Sequence, residues 1–557
     1  MKPTGMVRVA LALVLTLGAC GPRPPRNPGA GGPTRRVPEA PPPLVVLVVI
    51  DQLPAWAFEA RRPLLQGGIA RLLARGRYYA DAEYPYSSTY TAPGHAALGT
   101  GAPPAVTGII GNEWWRREQG ASVESVTDPA SPLLDVAGGA PRDKGAASPR
   151  ALRVGGVGDA LLAQRPGARV VGVSLKDRGA ILPVGQHPTL AVWYDPAQAA
   201  FTTSTWYARA LPPWLATLAR EHPVAPRLEG YVWQARDPAL YQRVLGDDAQ
   251  PGEPPAAASF PHPLSASANP AKAVRATPLG NALLVEAALA AVAGEGLGRD
   301  AVPDLLTVSF SGHDLVGHAY GQESWETLDM LLDTDARIAE LLDGLDAAVG
   351  KQRYAVVLSS DHGVTRMVER TLAAGRPAGR ITTDALEQAC EQVATTLLGP
   401  SPDPAGWIAA TRDPYVYLAA AASKLERVKH QTLLRALSAT LLATGTLGHV
   451  RPVASVAGGC DRRSGDEQRM CWSVDPEQSG DLLYGARPDF VVQDPDLDVT
   501  VHGTLNPDDR TVPVIVRGPG FSPGRTDTRV STLSVAATLA HLLGITPGPA
   551  VTAPTLR

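Results

Sequence analysis

Leu44-Val45-Val46-Leu47-Val48-Val49-Ile50 runs without a polar residue and is followed directly by Asp51. The run is mostly β-branched and shows no polar/apolar alternation, so neither face of the strand it forms is suited to water. Such a strand belongs inside a parallel sheet covered by helices on both sides. Comparable runs are Ala168–Leu175 (ARVVGVSL), Leu305–Phe310 (LLTVSF), Tyr354–Leu358 (YAVVL) and Val512–Val516 (VPVIV). Helical patterns lie between them, at 64–75, 150–164, 278–293, 323–348 and 530–543. Strands alternating with helices predict an α/β fold: a sandwich with a mostly parallel central sheet flanked by helices.

Two stretches break the alternation. Residues 196–276 are rich in Trp, Tyr and Pro, and 365–485 form a second departure. Both read as cap insertions over the sheet, within one domain spanning 44–550. Insertions above strand C-termini commonly shape a substrate pocket.

The N-terminus reads as a targeting segment. Lys2 and Arg8 precede the apolar run Val9–Leu17, which is too short to span a bilayer comfortably. Leu17-Gly18-Ala19-Cys20 then has the form of a bacterial lipobox, giving a signal peptide over 1–20. Residues 21–43 form a Pro/Gly-rich tether without core-forming residues. The expectation is an exported lipoprotein, periplasmic or at the cell surface, held by a lipid on Cys20. Gly21 after the cysteine points to the outer membrane. An oxidising compartment would allow Cys460 and Cys471 to close a short loop, with Cys390 left as a buried thiol. A net charge of −3 argues against non-specific nucleic-acid binding.

The strand ends carry the chemistry. Asp51 follows the first strand, Asp314 and His318 follow LLTVSFSGH, and Asp361-His362 follow YAVVLSS. His502 sits in a Gly-containing loop before VPVIV. Any one of these alone is more commonly a turn former or a hydrogen-bonded core residue. Together, three Asp and three His make a nitrogen/oxygen set suited to two zinc ions. Thr91, in Tyr90-Thr91-Ala92-Pro93-Gly94-His95, stands at a turn before a helical run. A helix N-terminus offers unpaired N–H groups and favours an anionic nucleophile and a phosphate.

Taken in order, VVLVVIDQL, STYTAPGHAALGTGAPPAVTGIIGNEW, VSLKDRGAILPVG, TPLGN, LTVSFSGHDLVGH, VVLSSDHG and VHGTLNP resemble the alkaline phosphatase superfamily. The chain is most similar to the phosphate-irrepressible alkaline phosphatases, a threonine-nucleophile branch related to nucleotide pyrophosphatase/phosphodiesterases. The resemblance covers about Leu44 to Leu543 and implies an alkaline-phosphatase-like sandwich. It implies one zinc on Asp314, His318 and His502, and a second on Asp51, Asp361 and His362, with Thr91 as the zinc-activated nucleophile. It also assigns Asn112, Lys176 and Arg178 to holding the phosphate oxygens.

The implied activity is hydrolysis of small phosphate monoesters through a phosphothreonine. The alternative is a phosphodiesterase or nucleotide pyrophosphatase on the same bimetal core, kept open by the aromatic insertion around Trp206, Trp214, Tyr231 and Trp233. A sulfatase is disfavoured, because no C/S-x-P-x-R motif occurs. A non-catalytic, metal-binding surface lipoprotein is the remote reading.

Overall fold

Leu44–Ile50 forms strand β1, buried along its whole length. Its alternate residues serve two cores. Val45, Leu47 and Val49 pack with Ala92, Ala96, Val535 and Leu539 on one face. Leu44, Val46, Val48 and Ile50 pack with Ile69, Leu284, Ala288, Ile338 and Leu342 on the other. The absence of alternation in the sequence thus has a direct cause: helices cover both sides of the sheet.

The computed structural model describes residues 40–494 and 498–557. The predicted signal segment with Cys20, and the tether up to residue 39, lie outside the described residues. Pro41–Arg557 form one compact unit.

The other strands of the main sheet are β2 (Arg77–Glu83), β3 (Val170–Ser174), β4 (Leu190–Asp195), β5 (Ala200–Thr202), β6 (Asp304–Phe310) and β7 (Tyr354–Ser359). A second, four-stranded sheet contains β8 (Ile408–Arg412), β9 (Tyr415–Leu418), β10 (Leu447–Pro452) and β11 (Leu482–Ala486). The chain then returns to the main sheet with β12 (Thr511–Arg517), β13 (Gly524–Thr526) and β14 (Val530–Ser531). The main-sheet order is β13-β2-β12-β7-β1-β6-β3-β4-β5, with β14 also paired to β2. From β7 to β4 every neighbour is parallel. β12 runs antiparallel to both β7 and β2.

Helices α1 (Thr91–Thr100), α2 (Pro278–Glu295), α3 (Gly312–Tyr320) and α4 (Trp325–Ala348) belong to the main sandwich. The ends of α2 follow local chemistry: Pro278 at its first turn lacks an N–H that would go unpaired, and Gly296 closes it at φ +69°. All ten residues of α1 are buried. The second sheet has its own core, in which Val416 and Tyr484 meet Leu386 of α5 (Thr383–Leu398) and Leu433 and Leu437 of α6 (Arg427–Ala443). The last helix, α7 (Ser534–Leu543), covers the α1 side of the main sheet.

Some expected helices begin late. The 64–75 pattern becomes helical only at Gly68, where the Asp335 carboxylate from α4 accepts from Gly67 N–H and Ile69 N–H. The 150–164 pattern becomes helical at Val157, after the Gly155-Gly156 break. Cys460 and Cys471 are bonded to each other, and Cys390 is a buried free thiol.

Candidate active site

One sheet edge gathers every candidate residue. The parallel neighbours β7, β1, β6 and β3 end there, delivering Asp361 and His362, Asp51, Asp314 and His318 on α3, and Lys176 respectively. β12 is antiparallel, so its start, not its end, lies at this edge, and His502 precedes it. β2 runs antiparallel to β12, which brings its end, and Thr91 at the start of α1, back to the same place. Gly94 lets α1 sit against the loop that carries Asp361, since a Cβ there would fall 2.1 Å from the Asp361 carbonyl oxygen.

Three histidines share one arrangement. His318 Nδ1 donates to Thr500 O at 2.9 Å, His362 Nδ1 to Gly363 O at 2.8 Å, and His502 Nδ1 to Thr89 O at 2.8 Å. With Nδ1 so engaged, each Nε2 is turned inward. His318 Nε2 lies 3.2 Å from Asp314 Oδ1 and 3.3 Å from His502 Nε2. His362 Nε2 lies 3.4 Å from Asp51 Oδ1, 3.5 Å from Asp361 Oδ2 and 3.3 Å from Thr91 Oγ1.

The inward atoms of these side chains converge on a common space. Among the described residues the buried Asp51 Oδ1 and Asp361 Oδ2 complete no hydrogen bond, although His95 Nδ1 stands 3.1 Å from Asp361 Oδ2. The ligand atoms of Asp314, His318 and His502 lie within 4.8 Å of one another, as do those of Asp51, Asp314 and His362. An all-nitrogen-and-oxygen donor set with ring tautomers fixed from behind fits a divalent metal. Asp361 stands beside the second set through its contact with His362.

The side chains alone already polarise the cluster. Burial and Asp314 push the Asp51 carboxyl up, but Lys176 and His362 together bring it below the usual carboxylate range. Burial opposes ionisation of Asp314 too, and Lys176 and His318 still hold it well below that range. Burial lowers His318, yet Asp314 and Asp498 raise it to about 10. Burial and the two neighbouring rings keep His502 well below its ordinary value.

Lys176 does not stand free in the cavity. Its ammonium is buried and lies 2.7 Å from Asp51 Oδ2 and 2.5 Å from Asp314 Oδ2. Arg178 is less committed, with its nearest carboxylate, Asp177, at 3.9 Å. Asn112 accepts from Ala92 N–H at 2.8 Å through Oδ1. Thr91, Asn112, Lys176, Arg178, Asp314 and His318 all line a cavity of about 450 Å³. A second cavity of about 240 Å³, lined by Tyr90, Glu113, Arg412 and His502, shares Asn112, His318 and Asp498 with it. The aromatic side chains of the insertion stand elsewhere: Trp206, Trp214, Tyr231 and Trp233 line neither cavity. Trp214 instead bonds Glu295 at the end of α2, and Trp233 bonds the buried Asp329.

Sequence reading missed several neighbours of the cluster. Asp498 approaches His318 Nδ1 at 3.3 Å, and Pro254 of the aromatic insertion lines the larger cavity. His95 Nδ1 donates to Thr91 O at 2.9 Å, and its Nε2 meets Ser309 Oγ at 2.7 Å. Gln52 was hidden beside Asp51. The sequence already places His95 near the site, four residues after Thr91, without making it a ligand; its bond to Ser309 is what the structure adds.

Comparison with known proteins agrees with this geometry. Residues 45–432 match the family model for type I phosphodiesterase / nucleotide pyrophosphatase. Alkaline phosphatase PafA of Elizabethkingia meningoseptica is 35% identical over 358 residues, which is 62% of this chain and 64% of that protein. Alkaline phosphatase PhoV of Synechococcus elongatus is 36% identical over 349 residues, 61% of this chain and 62% of that protein. The matched part is thus under two thirds of the length of either relative. The crystal structure of wild-type alkaline phosphatase PafA superimposes with a TM-score of 0.84 at 28% identity, covering 93% of this chain and 98% of that one. Murine ectonucleotide pyrophosphatase / phosphodiesterase 5 shares the fold at 13% identity, with a TM-score of 0.51 over 91% of this chain and 96% of that one. The chain belongs to the type I phosphodiesterase / nucleotide pyrophosphatase family, within the alkaline phosphatase superfamily.

Proposed function

We propose that this chain is a zinc-dependent phosphomonoester hydrolase that works through a phosphothreonine on Thr91. The observation that carries the reading is the set of inward Nε2 atoms on His318, His362 and His502, with Thr91 Oγ1 in the same cluster. Asp314, His318 and His502 would hold one zinc ion, and Asp51, Asp361 and His362 a second. When bound, zinc supplies Lewis acidity that lowers the pKa of a hydroxyl and stabilises negative charge on oxygen.

Thr91 Oγ1 attacks phosphorus from the His362 side of the cluster. An in-line displacement then sends the leaving oxygen toward His318 and His502. Arg178 and the Asn112 amide, both lining the cavity, hold non-bridging oxygens whose charge changes during transfer. Lys176 balances the Asp51 and Asp314 carboxylates and adds positive charge beside the phosphate. Attack by water on the phosphothreonine restores Thr91, and two inversions give net retention at phosphorus.

Arg178, which lines the cavity with its nearest described carboxylate 3.9 Å away, supports a dianionic monoester over a diester. None of the four aromatic residues that motivated the diester alternative lines either cavity. Export and anchoring through a lipid on Cys20 belong to the same proposal and rest on the lipobox-like sequence.

The deciding experiment is an acid quench during turnover of a labelled aryl phosphate, followed by peptide mapping. Label on Thr91 is expected, and Thr91→Ala should lose both label and turnover while still binding zinc. Multiple turnover near the wild-type rate in Thr91→Ala would remove Thr91 from the nucleophile role.

A further inference from the structure

Gln52 is fully buried and holds a backbone φ of +60°, a region that non-glycine residues seldom occupy. It is the turn residue through which the chain leaves β1, and it touches all three carboxylates of the cluster. Asp51 is its covalent neighbour. Its own N–H donates to Asp361 Oδ1 at 3.2 Å, and its side-chain Nε2 donates to Asp314 Oδ1 at 2.9 Å. Asp314 belongs to both candidate metal sets.

An amide can point either way, so something must fix which end faces Asp314. A relay does so. Arg61, which can only donate, gives a hydrogen bond to Gln322 Oε1 at 3.4 Å. That turns Gln322 Nε2 toward Gln52, where it donates to both the carbonyl oxygen and Oε1 at 3.1 Å. With Oε1 so engaged, Gln52 must present Nε2 to Asp314, whose ionised carboxylate can only accept. Arg61, Gln322 and Gln52 are all buried, so water does not compete for these bonds. Gly317 makes the close approach possible, because a Cβ there would lie 1.9 Å from Gln52 Oε1.

We infer that Gln52, oriented by Gln322, is a positioning residue that sets Asp314 and Asp361 for metal binding. The inference rests on the metal-dependent reading above and names a support for the ligands that no ligand pattern contains. Gln52 touches no substrate. It acts by fixing the angle of Asp314, so that Oδ1 faces His318 while Oδ2 faces Lys176.

The test is zinc affinity, measured by competition with a chromophoric chelator on the purified protein, with no substrate present. Gln52→Met keeps the volume and removes the N–H donor to Asp314. Gln322→Glu keeps an acceptor for Arg61 but removes the donor that orients Gln52. Both should weaken zinc binding about 10–100-fold, the range typical of lost outer-shell partners. Thermal unfolding in excess chelator should stay near that of the wild type, since a purely structural role would move that readout instead. Wild-type zinc affinity in Gln322→Glu, or in a folded Gln52→Met, overturns the inference. A wild-type protein that binds no zinc overturns the metal reading itself, which separates the two failures.

Discussion

His318 Nε2 and His502 Nε2 face each other at 3.3 Å, with each ring's Nδ1 committed to a backbone carbonyl behind it. Neither ring can turn away without breaking its own support. These two Nε2 atoms, together with Asp314, form a donor set that fits a divalent cation. Treatment with excess chelator should therefore abolish phosphate release and lower the unfolding temperature, and zinc should restore both. Turnover at full rate in protein shown by elemental analysis to be free of metal would refute this.

Arg178 and Lys176 should separate in their effects. Among the described residues Arg178 lines the cavity with no close carboxylate other than Asp177, so its charge is available to the substrate. A charge-assisted hydrogen bond contributes roughly 1.5–3 kcal/mol, about one to two decades in rate when realised in the transition state. Arg178→Ala should lower kcat/KM by that amount for an aryl monoester and less for a matched diester. Lys176→Ala should depress both substrates alike, because its ammonium also compensates the Asp51 and Asp314 carboxylates. Equal losses on the two substrates in Arg178→Ala would bring the diesterase reading forward.

Gly94→Ala places a methyl group where only the Asp361 backbone is available, at 2.1 Å. Helix α1 must shift, and Thr91 with it. The expected cost is about 1–3 kcal/mol of stability, the usual range for overpacking, together with a clear fall in kcat. Urea unfolding and steady-state kinetics check the two parts. Wild-type behaviour in both would mean that the helix tolerates displacement.

Glu326 predicts a pH dependence remote from the metal cluster. It is fully buried with Oε1 2.8 Å from His262 Nε2. Burial first, then the charges of Asp248 and Asp329, push its carboxyl up to about 8. Between the ordinary glutamate value and about pH 8, the folded protein keeps a proton that the unfolded chain has released. Its contribution therefore favours folding at the acid end and fades as pH rises, by up to about 1.4 kcal/mol per pH unit. Glu326→Gln should flatten that decline in urea unfolding compared across the window. An unchanged slope would show that Glu326 is ionised in the folded state.

Cys20→Ser should release the protein from membranes or block its processing, as followed by fractionation and intact-mass measurement. Unchanged membrane association with an unmodified cysteine in the wild type would remove the lipid anchor from the proposal.

The fold was legible where burial leaves one kind of residue. Both faces of β1, β6 and β7 are covered, so those strands read as unbroken apolar runs. β2, with the sequence RYYADAE and a mixed burial pattern, gave no such signal and was missed. The second sheet showed only as a departure from the helix–strand rhythm, because β8–β11 pair through register that one sequence does not display. The candidate ligands stood out through their position after strands. The contact of Lys176 with Asp51 and Asp314 did not, since sheet order gives the edge that a side chain reaches but not the atom it meets. Gln52 was silent for a related reason: its meaning lies in which end of an amide faces which carboxylate.

The antiparallel entry of β12 has a consequence for biogenesis. Asp51, Asp314, His318, Asp361 and His362 are all present once the chain has been made as far as β7, whereas His502 arrives with the segment that leads into β12. A partly synthesised or truncated polypeptide therefore carries the carboxylates but lacks the third ligand of the Asp314–His318 set. Under the proposed metal reading, tight metal capture would report that the segment leading into β12 has docked, which would make metal content a gauge of how far the chain has been completed.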